Sequence, residues 1–225
     1  MQFNGSLSER QLILIRYIFD HANTGDNTLP SLKEISKHLN SSVASLREDL
    51  ETLRFMGIVE AQPRKGLRLL PLSLVPVITK SAQIATYIDE KYFHHFSALR
   101  LYIEKSCFFE AAEKLELADI KLLETQVNIA INKLEGHPIQ IPFDEHKQLH
   151  LMMYTRLDNI FIEGILTSYW NIYKAVGLDL YTDIGYLRRV WQYHQNIVEK
   201  IKRGNIIEAH QLLIEHMDLL YLRSG

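Results

Sequence analysis

The chain has 225 residues, 47% hydrophobic and 23% charged, with a formal net charge of −2. That length can bury two modest cores, and the composition is that of a globular protein rather than a disordered or membrane-embedded one. No apolar run reaches the length of a membrane span and no signal peptide opens the chain; Cys107 is the only cysteine, which excludes an internal disulfide and suits a cytoplasmic location.

The first predicted element, Ser6 to Asp20, is an amphipathic helix interrupted by Glu9, Arg10 and Arg16. Residues 29–70 then read as a winged helix-turn-helix. Leu29-Pro30-Ser31 leads into a helix whose Ser31 and Glu34 have capping-box spacing, with Leu32, Ile35 and Leu39 on one apolar face. Asn40-Ser41-Ser42 supplies the turn, since Asn tolerates left-handed geometry and a serine caps the next helix. That second helix, about Val43 to Met56, buries Leu46, Leu50 and Leu53 and ends at Gly57. Ile58 to Ala61 and Leu67 to Leu70 then flank a basic tip, Arg64-Lys65-Gly66, as a strand, turn and returning strand. Such a module places its second helix in the DNA major groove. Charge supports this only weakly. Residues 1–70 carry nine Lys/Arg against eight Asp/Glu, and the predicted recognition helix itself bears Glu48, Asp49 and Glu51.

Residues 71–80 form a proline-punctuated connector between a domain of residues 1–70 and one of 81–225. Beyond it apolar residues recur at helical spacing in Ser81–Leu115, Leu117–Leu134, Phe143–Leu157, Ile160–Ala175, Ile184–Arg203 and Ile206–Leu222. No strand alternation interrupts them, so the fold class is mainly α, a winged helix followed by an antiparallel all-helical bundle.

Within that bundle His146 and His150 are four residues apart, one turn from each other on a helix face that also carries Phe143, Leu149 and Met153. His194 lies ten residues before Gly204 and His216 twelve after it. At about 1.5 Å per residue both sit roughly 15–18 Å from that turn, level with each other across two helices. Two readings fit: hydrogen-bonded core packing, or imidazoles converging on a metal ion. The other six histidines, His21, His38, His94, His95, His137 and His210, lack this arrangement. Arg100 also has two readings. It is an i,i+4 partner of Glu104, or a planar fork for a carboxylate among Phe96, Leu99, Ile103 and Cys107. Cys107 itself reads as a packed thiol.

Residues 29–70 resemble the N-terminal domain of the GntR family of bacterial transcription regulators. The matching pieces are Leu29-Pro30-Ser31, Leu39, Ser42, Leu46-Arg47, Leu50, Leu53, Gly57-Ile58-Val59 and Arg64-Lys65-Gly66. The resemblance implies that Lys33, Ser42, Arg47, Arg64, Lys65 and Gly66 meet operator DNA. The family usually has Arg directly after the turn serine, and this chain has Val43, which offers a base only apolar contact.

The helical part resembles the FCD effector domain of the FadR subfamily through Arg100 and Glu104, Leu149-His150 with Asn159 nine residues on, and the late His194 and His216. The resemblance implies a homodimer whose helical domain binds a divalent metal through an Asp and three histidines, and a small carboxylate effector through the metal and an Arg. By position the histidines are His150, His194 and His216, with Arg100 and Asn159 on the effector side. His146 occupies the usual Asp position. Four imidazoles suit Zn or Ni, and Cu, better than Mn or Mg; the same swap also fits a site that has given up its metal. Asp144 lies on the wrong side of its helix to replace the missing carboxylate.

The reading is a DNA-binding transcription regulator with a metal-assisted, acid-sensing helical domain. Its rivals are a metal-dependent enzyme on the bundle and an effector-independent dimeric DNA-binding protein. No carboxylate base is evident near the histidines and Glu-x-x-His motifs are missing, which weighs against the enzyme.

Overall fold

Local capping chemistry sets the first half of the chain. The computed structural model describes residues 7–22, 25, 27–63, 66–177 and 183–221, in two compact units, Met1–Val77 and Ile78–Gly225. Helix α1 (Glu9–His21) starts at Ser8, which exchanges bonds with Gln11 in a capping box; α2 (Leu32–His38) starts with the same device in Ser31 and Glu34. Asn40 takes φ +47°, and Ser42 then caps α3 (Val43–Phe55) by accepting from Ser45 N. Gly57 follows α3 at φ +73°, where a Cβ would fall 2.5 Å from Pro76 Cγ, so the position needs glycine for both conformation and space.

Strands β1 (Val59–Gln62) and β2 (Gly66–Leu69) pair antiparallel, Val59 opposite Leu69 and Gln62 opposite Gly66. β1 lies one residue later, and β2 one residue earlier, than the predicted limits. Leu14, Ile18, Ile35, Leu46, Leu50, Leu53 and Val59 form the core of this unit. Each buried aliphatic side chain contributes about 1.5–3 kcal/mol. Arg10 of α1 reaches across to Asp49 of α3, Nε to Oδ2 at 2.7 Å and Nη2 to Oδ1 at 2.9 Å. Asp49, one of the acidic residues of the predicted recognition helix, is thereby buried and neutralised rather than turned toward phosphates.

The predicted helix Ser81–Leu115 is two helices, α4 (Val75–Ile88) and α5 (Lys91–Lys114). The break falls at Asp89, whose carboxylate accepts from Lys91 N and draws the backbone out of the helical ladder. No glycine or proline marks it. Helix α4 also takes over the second half of the predicted connector; Ser73 Oγ accepts from Val75 N, and Pro76 sits in the first turn, where a missing N–H costs nothing.

The remaining helices follow the apolar periodicity: α6 (Leu117–Glu135), α7 (Phe143–Tyr154), α8 (Ile160–Ala175), α9 (Ile184–Lys202) and α10 (Ile206–Tyr221). A 3-10 turn, Thr155–Leu157, finishes what the periodicity gave to α7. Helix α10 packs on α9 and α5, α6 on α9 and α7, and α5 on α7 and α8. Phe108, Leu123, Leu149, Met153, Trp191, Val198 and Leu213 fill the main core, and Phe93, Tyr169, Trp170 and Tyr173 form an aromatic cluster. Among the described residues no helix is long and apolar enough to cross a membrane.

Candidate metal centre and DNA-contact residues

Three helices of the bundle deliver four imidazoles to one point. Helix α7 gives His146 and His150, α9 gives His194 and α10 gives His216. The turn at Gly204, in left-handed geometry at φ +74°, folds α10 back along α9 and puts His194 and His216 at one level. One ring nitrogen from each of the four lies within 4.8 Å of all the others. His150, His194 and His216 are buried and His146 half-buried. Trp170 packs 4.7 Å from His146 and Trp191 5.0 Å from His194, ring centre to ring centre, and both close the centre against water.

The chemistry of the donors bears on packing against ligation. A core histidine kept for packing has its ring nitrogens hydrogen-bonded. Here Nε2 of His146 and His150, and both nitrogens of His194 and His216, have no protein partner. Leaving a buried polar group unmet costs about 1–3 kcal/mol each. Burial first, then the nearby Arg100 charge and, for His146, His194 and His216, repulsion from neighbouring imidazoles, holds the pKa of all four well below the usual histidine value. They are therefore neutral near pH 7, the form that offers a lone pair to a cation. The donor set fits a divalent metal ion.

Arg100 lies against this centre, fully buried between the rings of Tyr169 and Trp170, 4.6 and 4.8 Å from their centres. Its Nε donates to Glu104 Oε1 at 3.0 Å and its Nη2 lies 2.9 Å from His150 Nδ1. Burial works against the guanidinium's charge, yet the adjacent Glu104 carboxylate, with Tyr169, more than offsets this and raises its pKa. Burial likewise pushes the Glu104 carboxyl upward, against the pull of Arg100. Glu104 Oε1 is also 3.2 Å from His150 Nδ1. The sequence showed Glu104 only as the i,i+4 partner of Arg100. Its contact with a histidine on another helix has no local signal.

Asn159 does not join the centre. It is exposed and caps α8, its Oδ1 accepting from Phe161 N and Ile162 N at 3.0 and 3.2 Å. The cap engages the amide oxygen, whereas a carboxylate would need the amide N–H as donor. Asp144 is exposed, as its helix position implied, and Cys107 is half-buried with its thiol pKa raised by desolvation.

In the first unit Lys33 on α2, Ser42 at the start of α3 and Arg47 on its first turns are all exposed, and Gly66 opens β2 at φ +85°. Ser42 Oγ accepts from Ser45 N, which leaves its O–H as a donor. Arg64 and Lys65 lie outside the described residues.

The FCD domain family matches residues 96–219, more than half of the chain. Among solved structures, a GntR protein of Streptococcus agalactiae superposes with a TM-score of 0.73 at 18% identity, over 96% of this chain and 99% of that one. The Escherichia coli protein McbR/YncC gives 0.51 at 15% identity, over 97% and 100% of the two chains. No curated protein matches by sequence. The identities are low enough that the superpositions speak to fold, while the domain match covers the helices that carry all four imidazoles. The chain belongs to the GntR family of transcription regulators, in the group that carries an FCD domain.

Proposed function

We propose that this regulator binds operator DNA as a homodimer and that its helical unit holds a divalent metal on His146, His150, His194 and His216, through which it responds to a small organic acid. The unmet ring nitrogens carry the metal reading: six buried donors without partners are too costly to be packing alone. Zn or Ni is the expected ion, since an all-imidazole set favours both over Mn or Mg. Bound there, the ion would supply a Lewis-acidic position for a carboxylate oxygen. Arg100 supplies positive charge beside the cluster and a planar fork for the same anion; Asn159, exposed at the start of α8, contributes less to this reading than the resemblance implied.

Exposed Lys33 and Arg47, with the wing residues Arg64, Lys65 and Gly66, supply the DNA contacts in this reading, and Ser42 serves chiefly to start the helix that carries Arg47. Two copies would read two half-sites of a pseudo-palindrome. Support for pairing comes from α5, which buries one set of apolar residues and leaves a second set exposed. Tyr92, Leu99, Tyr102 and Phe109 stay exposed along it at intervals of seven, three and seven, the spacing of a helix-pairing seam.

An enzyme reading has less support, because the relatives in this family are regulators and Glu104, the carboxylate nearest the histidines, is engaged by Arg100. The first experiment is elemental analysis of tag-free protein. About one Zn or Ni per chain, lost from a His194→Ala variant, supports the reading; no metal uptake from added Zn or Ni overturns it. DNA binding unchanged by metal and by a carboxylate panel would leave an effector-independent regulator.

A further inference from the structure

His150 Nδ1 stands between two groups that cannot both be satisfied by it. Arg100 Nη2 is 2.9 Å away and Glu104 Oε1 3.2 Å. A guanidinium only donates and a carboxylate only accepts, so the ring proton decides which contact is a hydrogen bond. With the proton on Nε2, Nδ1 accepts from Arg100, and the Nε2–H points into a buried site with no acceptor. With the proton on Nδ1, the ring donates to Glu104 and Nε2 presents a lone pair. Once a cation lies among the imidazoles, only the second arrangement satisfies both nitrogens.

We propose that Glu104 is a positioning residue for the metal centre: it holds the His150 proton on Nδ1 and so commits Nε2 to the ion. This rests on the reading of the four imidazoles as a metal site. Three features set Glu104 apart from a plain ion pair. An Arg–carboxylate pair ordinarily closes as a two-bond fork, but here Glu104 Oε2 has no partner while Oε1 is shared by Arg100 and His150. Glu104 is fully buried, so water cannot replace it as acceptor. Its turn of α5 is fixed to α7 by Tyr154, whose hydroxyl donates to the Glu104 main-chain oxygen at 3.0 Å. Metal-bound histidines commonly use a carboxylate in this way to fix tautomer and ring orientation.

The test compares zinc affinity of wild type, Glu104→Gln and Glu104→Leu by chelator competition, alongside melting of the metal-free proteins. Loss of the acceptor in Glu104→Leu should weaken zinc by about 10–100-fold, with a smaller loss in Glu104→Gln, which keeps an acceptor oxygen. Lower melting temperatures with unchanged zinc affinity would mean a structural ion pair only and overturn the proposal. Removing Glu104 strips a buried guanidinium of its counter-charge, so a second measurement leaves the sequence intact. In zinc-loaded wild type, nitrogen-resolved NMR of the imidazoles should find the His150 proton on Nδ1; a proton on Nε2 overturns the proposal. Wild type that takes up no zinc removes the metal-site reading and this role together. Zinc binding with the wrong tautomer, or with full affinity in Glu104→Leu, removes this role alone.

Discussion

His194 and His216 face each other across the last helical hairpin with ring centres 4.2 Å apart, the shortest separation among the four imidazoles. The two helices are fixed by packing of Ile197, Val198, Ile201, Ala209 and Leu213 in the core below them, so the pair is held by the hairpin and not by the metal. Removing either ring should therefore leave the fold standing while opening the centre. His194→Ala and His216→Ala are each expected to lose more zinc affinity than the about 10–100-fold typical of losing a supporting hydrogen bond. Calorimetric titration checks this. Wild-type affinity in either variant would exclude that residue as a ligand.

His146 is expected to set which metal is preferred. Its ring centre lies 4.8 Å from His194 and 5.0 Å from His150, so it faces the same point as the other three. A hard oxygen donor at this position favours Mn over the softer set of four nitrogens. His146→Asp should shift selectivity toward Mn, read as the Mn-to-Zn ratio retained after equilibration with both ions. An unchanged ratio would place His146 outside the coordination set.

Acid should unfold the metal-free protein early. The four histidines have folded-state pKa values depressed by burial, whereas the unfolded chain titrates near 6.5. Above that value neither state binds these protons and stability is flat. As pH falls below it, the unfolded chain takes up protons that the folded one refuses, so stability is lost. Each group costs at most about 1 kcal/mol between pH 6.5 and 5.5, where the unfolded ring is still only partly protonated, so four cost up to roughly 4 kcal/mol. Urea melts of metal-free protein at pH 7.5 and 5.5 measure this, and bound zinc should move the loss to lower pH. Equal midpoints would mean that the folded rings take up protons as readily as the unfolded ones.

Much of this was legible in the sequence because the signals were local. Ser31 and Glu34 announced a helix start, Asn40 a left-handed turn, and the offsets of His194 and His216 from Gly204 gave their common level. The failures were of two kinds. The α4–α5 break depends on Asp89 bonding its own neighbour's N–H, a choice the helical periodicity around it does not betray. Glu104 and His150, 46 positions apart, meet only because α5 packs on α7, and Arg10 meets Asp49 only because α1 crosses α3. Asn159 shows the converse. Its position in the chain pointed to a ligand, and its geometry made it a helix cap.

DNA contact is tested through salt. Arg47 and Lys33 are exposed on α3 and α2. If each neutralises a phosphate, alanine at either site should lower the slope of log affinity against log salt by about 0.9 per contact. Val43→Arg, by contrast, should alter which base pairs are preferred, since Arg can bond guanine bidentately and Val cannot. Fluorescence anisotropy over a salt series separates these outcomes. An unchanged slope in Arg47→Ala would move the DNA face off α3.

Metal and anion should tighten one another through Arg100. Its Nη2 occupies the same His150 nitrogen whose proton metal binding requires to lie on the Glu104 side. An organic carboxylate that engages this guanidinium draws it from His150, and with the rival donor gone the metal-competent tautomer is favoured. Linkage requires the converse by the same factor: bound metal must raise anion affinity. Coupling of about 1–3 kcal/mol, or roughly 5–150-fold, is typical of such paired sites. The check is zinc affinity with and without a saturating small dicarboxylate, set beside anion affinity with and without zinc. In Arg100→Met the coupling should vanish even where zinc still binds. Equal coupling in wild type and Arg100→Met would show that the anion meets the metal directly and that Arg100 takes no part.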